Sequence, residues 1–323
     1  MEPLDRRRLL MLGSAMLLAG NVAGEAAESA LPPPRNLPDN WRRAPTLPLW
    51  PGAPPGAAGY QAQSLPAGWS GAYRRNVAIP ELQIFRPRRP NGISVLAMPG
   101  GAYWFVSVAN EGADLAPRLT SRGFTVFVLT DRLPREGWGA RSDVPLQDAQ
   151  RAVRLIRSKA AEFRIDPAKV TVLGFSAGGH LAATLATQHA EQTYAAVDAA
   201  DRQEARPFAA GLIYPVVTMR NPWTHEMSRR LLLGDQPTAA EVDRRSAELH
   251  VDGSTPPLFL VHAMDDTAVP VDNSLRLVNA MRDARRPVEA HLLQEGGHAF
   301  GIGRPGTPSA QWIDLLSAWL ERL

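Results

Sequence analysis

At 323 residues with 45% hydrophobic side chains, the chain can bury a large core, and one α/β domain plus appendages accounts for its length. The formal charge of +3 comes from 35 basic and 32 acidic residues, but only Lys159 and Lys169 are lysines and the arginines are scattered among acids, which argues against a nucleic-acid surface. Zero cysteines exclude disulfides, zinc–thiolate sites and a thiol nucleophile, leaving Ser, Thr, Asp or Lys for covalent chemistry.

Residues 1–28 have the layout of an export signal. Arg6-Arg7-Arg8 precede an apolar run from Leu9 to Ala23 that is too short to span a bilayer, and cleavage is expected between Gly20 and Ala30. The arginines, preceded by Asp5 and followed by Leu9-Leu10, resemble a twin-arginine signal, so the expected location is periplasmic or secreted, with no stable membrane anchor after cleavage. Residues 29–56 are expected to form a linker or surface strap, because nine prolines between Leu31 and Gly56 exclude a helix or a central strand. The main domain is then 57–323.

Within it, short apolar runs alternate with helical patterns. Strands are expected at Leu82 to Phe85, Ile93 to Met98, Phe124 to Thr130, Val170 to Phe175, Ala209 to Val217, Leu258 to His262 and Val288 to Leu293. The later runs are nearly continuous in Val, Leu, Ile and Phe, as in parallel strands covered on both faces. Leu146, Ala149, Val153, Ile156, Ala160 and Phe163 recur every three or four residues and mark one helix; Trp312 to Leu323 marks another. The alternation predicts an α/β fold with a mostly parallel central sheet and helices on both faces. Residues 219–250 are less periodic and read as an inserted lid or an ordinary crossover.

Val170 to Phe175 leads into Ser176-Ala177-Gly178-Gly179-His180 and then an Ala/Leu-rich helix, which is a strand, a sharp turn and a helix. A serine at such a turn needs small residues two positions away on either side so that strand and helix can approach, and Gly174 and Gly178 supply them. Ser176 is therefore the candidate nucleophile. Its acid and base should follow in that order at later strand ends. Met264-Asp265-Asp266 follows the Leu258 to His262 strand; Asp266 is preferred because Val269-Pro270 completes an acid-loop pattern, with Asp265 as the alternative. His298, in Gly296-Gly297-His298-Ala299-Phe300, is the candidate base. An oxyanion would be met by the Ala177 amide and by Gly100 and Gly101, in the loop Pro99-Gly100-Gly101-Ala102-Tyr103. Tyr103 and Trp104 read either as a pocket wall or as core. His180 reads as a packing or hydrogen-bonding residue and His262 as support for the acid loop; His189, His225, His250 and His291 have no catalytic context. No metal and no cofactor are expected.

Together, Pro99 to Tyr103, Gly174 to His180, Asp266 to Pro270 and Gly296 to Phe300 resemble the acetylxylan-esterase-like, BD-FAE-like branch of the α/β-hydrolase superfamily. The resemblance runs from about Leu47-Pro48-Leu49-Trp50 to the end of the chain. It implies a serine esterase that removes short acyl groups, acetyl from xylan-type carbohydrate in particular, with a small-molecule or oligosaccharide ester as substrate. The sequence departs from the pattern at Met98-Pro99, at Ala102 in place of a third glycine, and at Asp131 in place of tyrosine. A prolyl-oligopeptidase-like peptidase is an alternative, but the large extra domain such enzymes carry has no room here; a non-catalytic binding module is another. Oligomeric state is not indicated.

Overall fold

Side chains alternate across each strand, so a sheet with apolar residues at both odd and even positions must be covered on both faces. In a computed structural model describing residues 35–323, that is the arrangement found; the export signal expected over 1–28 and the start of the proline-rich stretch lie outside the described residues. The strands, in chain order, are β1 (Thr46–Pro48), β2 (Tyr73–Arg74), β3 (Glu81–Phe85), β4 (Ser94–Met98), β5 (Val106–Ser107), β6 (Thr125–Thr130), β7 (Val170–Phe175), β8 (Ala210–Ile213), β9 (Leu258–Ala263) and β10 (Val288–Leu293). The helices are α1 (Asp39–Arg43), α2 (Leu115–Thr120), α3 (Val144–Ser158), α4 (Ala160–Phe163), α5 (Ser176–Gln188), α6 (Glu226–Leu233), α7 (Ala239–Arg244), α8 (Asp272–Asp283) and α9 (Trp312–Arg322).

Eight strands form one sheet in the order β1-β3-β6-β4-β7-β8-β9-β10, while β2 and β5 pair separately. β1 and β3 run antiparallel to their neighbours and the rest are parallel. Leu96, Phe127, Val172, Leu212 and Leu260 face one core with α3, α5 and α8. Val95, Val126, Leu173, Ile213 and Phe259 face the other with α2 and α9. Burying one such side chain contributes about 1.5–3 kcal/mol, so the two layers hold the sheet from both sides. β10 departs from the fully buried expectation because it is an edge strand, and its side chains are half exposed or exposed.

Three boundaries differ from the sequence reading. The run expected to continue to Val217 leaves the sheet after Ile213, because Tyr214 takes φ 39° and Pro215 has no N–H to donate to a ladder. The helix expected through Phe163 divides into α3 and α4 at Lys159, whose ψ of 18° leaves the helical range. The described part of the proline-rich stretch lies on the domain and joins it: β1 pairs with β3, and Trp41, Leu49 and Trp50 are buried. The folded domain therefore begins before residue 57.

Parallel strands put their C-terminal ends on one edge of the sheet, where loops can converge. β4 and β7 are neighbours, so the glycine loop after β4 lies beside the turn after β7. The loops after β9 and β10 reach the same edge, and residues 219–250 cross from β8 to β9 while also contributing to a cleft there.

Candidate active site

Ser176 sits at the junction of β7 and α5 with φ +50°, a left-handed conformation rare for a residue with a Cβ. The glycines around it are dictated by close approach. A Cβ on Gly174 would lie 2.2 Å from the Gly178 carbonyl oxygen, and one on Gly178 would lie 2.1 Å from the Met98 carbonyl oxygen. Only hydrogen side chains let β7, α5 and the end of β4 meet this tightly.

The Ser176 Oγ lies 2.9 Å from His298 Nε2, and His298 Nδ1 lies 2.7 Å from Asp266 Oδ2. A carboxylate can only accept, so Nδ1 carries the proton and Nε2 accepts from the serine hydroxyl. Asp266 Oδ1 accepts the N–H groups of Ala268 and Val269, both at 2.9 Å. Its Oδ2 also takes His262 Nε2 at 3.2 Å, and Ser274 holds the other nitrogen of that ring at 2.8 Å. Burial pushes the Asp266 carboxyl up, but hydrogen bonds from His262 and His298 and the charge of His298 outweigh it and hold the acid well below the usual carboxylate range. Asp265 is turned away; its Oδ1 accepts the Gly297 N–H at 2.8 Å and so ties the acid loop to the histidine loop.

The loop after β4 shows one departure from expectation. The Gly100 N–H donates to Glu111 Oε2 at 2.6 Å, so the expected role of Gly100 as an oxyanion donor is corrected: its amide is already taken. Gly101, with φ +132°, lines the cleft, and its amide has no acceptor among the described residues. A Cβ there would meet the Phe105 carbonyl oxygen at 2.1 Å. Ala102, at φ +55°, occupies a position that a glycine would fill with less strain. Ala177 follows Ser176 in the first turn of α5, where N–H groups have no acceptor within the helix.

Glu111 is the functional neighbour that sequence reasoning missed. It lies in a short π-helical turn, Ala109–Ala113, and its second oxygen accepts the Tyr214 hydroxyl at 2.8 Å. That hydroxyl in turn accepts the Gly301 N–H at 3.0 Å, and the Tyr214 ring packs edge-on against His298 with centroids 5.0 Å apart. One buried carboxyl thus joins the glycine loop to the histidine loop. Burial raises its affinity for a proton, opposed by the Gly100 and Tyr214 hydrogen bonds. Position at the C-terminal end of β8 was the one signal that could have flagged Tyr214.

A cleft of about 430 Å³ opens above Ser176 and His298. Tyr73, Trp104 and Phe105 supply apolar wall, while Asn110, Glu111 and His225 add polar groups. Trp104 is therefore a pocket residue. Tyr103 is not: its hydroxyl turns inward to His180 Nδ1 at 2.7 Å, and His180 Nε2 donates to the Arg245 carbonyl at 2.7 Å. His180 and His262 match their structural readings, whereas His225, read as lacking catalytic context, lines the cleft.

A mostly parallel sheet between two helical layers, with serine, acid and histidine in the connections after β7, β9 and β10 at its C-terminal edge, defines an α/β hydrolase. The chain belongs to the BD-FAE family, which it matches over residues 82–281. It is 30% identical over 250 residues to an acetylxylan esterase of Xylanibacter ruminicola, covering 75% of this chain and 48% of that protein. It is 35% identical over 208 residues to endo-1,4-beta-xylanase B of Butyrivibrio fibrisolvens, covering 64% and 32%. The chain spans about half or less of these two relatives. Among solved structures, an acetyl ester-xyloside bifunctional hydrolase from Caldicellulosiruptor lactoaceticus superposes with a TM-score of 0.72 at 31% identity, covering 87% of this chain and 96% of that one.

Proposed function

We propose that the protein is a serine carboxylic-ester hydrolase that removes short acyl groups, acetyl from xylan-type carbohydrate in particular, through an acyl-enzyme. The observation that carries this reading is the unbroken line from Ser176 Oγ to His298 to Asp266, opening into the cleft. In this mechanism His298 Nε2 takes the Ser176 proton as Oγ attacks the ester carbonyl. The Gly101 and Ala177 amides receive the oxyanion, Asp266 stabilises the imidazolium, and His298 then protonates the departing alcohol. Water deprotonated by His298 attacks the acyl-serine, releasing the acid and restoring Ser176. The strained φ of Ser176 supports the nucleophile role, and the small cleft supports a short acyl group. The acetylated xylan substrate is supported by the names of the two relatives and of the Caldicellulosiruptor protein. Export from the cytoplasm belongs to the same proposal and rests on the arginine-led segment at residues 1–28.

Ser176→Ala is expected to lower ester turnover by at least about 10³-fold and to abolish fluorophosphonate labelling. Retained turnover in the purified variant would overturn the nucleophile. Acetate release from acetylated xylan, measured beside esters of longer acids, tests the substrate; turnover confined to the longer esters rejects acetyl xylan.

A further inference from the structure

The residues assigned so far leave one imidazole in the cleft without a task. His225 stands between β8 and α6, and its Nδ1 lies 2.8 Å from the hydroxyl of Ser228, which is fully buried. Among the described residues its Nε2 has no protein partner and is not sealed from solvent, and the residue lines the cleft. A side chain fixed on one nitrogen and open on the other is positioned to bind something.

What it binds follows from its neighbours. Burial lowers the His225 pKa to about 4; the next influences are His298, which lowers it further, and Asp266, which raises it. The ring is therefore uncharged at neutral pH, and it lies within electrostatic reach of the His298–Asp266 pair, sharing the cleft with His298. The base must hand its proton to the departing alcohol oxygen, so the alcohol half of an ester lies on the His298 side of the cleft. Whether Ser228 donates to Nδ1 or accepts from it, Nε2 is left as a donor or as an acceptor, and an alcohol hydroxyl satisfies either. A carboxylate or an ammonium group would suit one tautomer only.

Building on the ester-hydrolase reading, we infer that His225, steadied by Ser228, is a specificity residue that hydrogen-bonds a free hydroxyl on the alcohol half of the ester, next to the scissile bond. It favours esters of polyols and sugars over esters of simple alkanols.

The test compares kcat/KM for glyceryl monoacetate and propyl acetate, which share an acyl group and differ in free hydroxyls. Wild type is expected to prefer the glyceryl ester. In His225→Phe that preference falls about tenfold, the value of one lost hydrogen bond to a polar site. Ser228→Ala, which frees the ring without altering the cleft wall, produces a smaller fall in the same ratio, and His225→Gln restores part of it. Fluorophosphonate labelling of each variant verifies that the site is assembled. If wild type turns over both esters but the ratio does not move in His225→Phe, or the two substrates fall together, the inference is overturned and the ester-hydrolase reading stands. If wild type turns over neither ester, that reading fails and takes the inference with it.

Discussion

Asp265 and Asp266 are chemically identical and adjacent, yet the direction of each side chain gives them different work. Asp266 is buried, accepts two backbone N–H groups and holds His298; Asp265 is exposed and braces Gly297. Asp266→Asn is expected to reduce kcat by about 10³–10⁴-fold by spoiling the histidine tautomer, and Asp265→Asn by less than about tenfold, as steady-state kinetics would show. Because the Asp266 carboxyl is held below its ordinary range, its stabilising contribution is present at neutral pH and is lost as pH falls through the carboxylate range. Glu111 acts at one remove from the chemistry. Glu111→Ala leaves the Gly100 N–H and the Tyr214 hydroxyl without their acceptor, so a fall in kcat of about tenfold to a hundredfold, larger than any rise in KM, is the expected result.

At the level of elements, the site depends on how closely β4, β7 and α5 approach. Gly178→Ala would place a methyl 2.1 Å from the Met98 carbonyl oxygen and force the helix from the strand end, costing about 3 kcal/mol in urea denaturation. Gly253→Ala, with nothing within 4 Å of the new methyl, is the matched control and should unfold at the wild-type midpoint. Elements of this core were legible in sequence because a buried parallel strand is a long apolar run and a strand-to-helix turn demands glycine. β1 was not legible. Its three residues end in Pro48 and follow Pro45, and it survives as a strand only because it sits at the sheet edge, where a missing N–H costs no ladder bond. The lid-like segment was ambiguous for a related reason: α6 and α7 are short, and their apolar faces pack on the cleft side instead of on the sheet.

Across the whole molecule, His180 ties three separate parts together: the glycine loop through Tyr103, the helix α5 that carries it, and the β8–β9 connection through Arg245. Burial holds its pKa near 4 against an ordinary 6.5, so the folded protein keeps it neutral where the unfolded chain would protonate it. Stability from this residue is complete above about pH 6.5 and drains away as pH falls toward 4, by at most about 3 kcal/mol. Urea midpoints measured across that window should fall with pH, and His180→Gln should make the slope shallower. Just beyond the C-terminal end of β6, the Arg132–Asp148 pair is fully buried, with the Trp50 indole also donating to Asp148. Asp148→Ala would strand the guanidinium and is expected to cost about 3–5 kcal/mol, measurable as a lowered Tm.

The sequence alone determined the α/β alternation, the glycine-framed serine turn and the chain order of serine, acid and histidine, because those features are local patterns of size, polarity and backbone freedom. Tertiary structure decided which of two adjacent aspartates points inward, that Glu111 claims the Gly100 amide, that Tyr103 serves the interior while Trp104 serves the cleft, and that His225 faces the site. Each of those outcomes depends on the direction of one side chain toward a group that is distant in the chain, and no spacing rule along a sequence encodes direction.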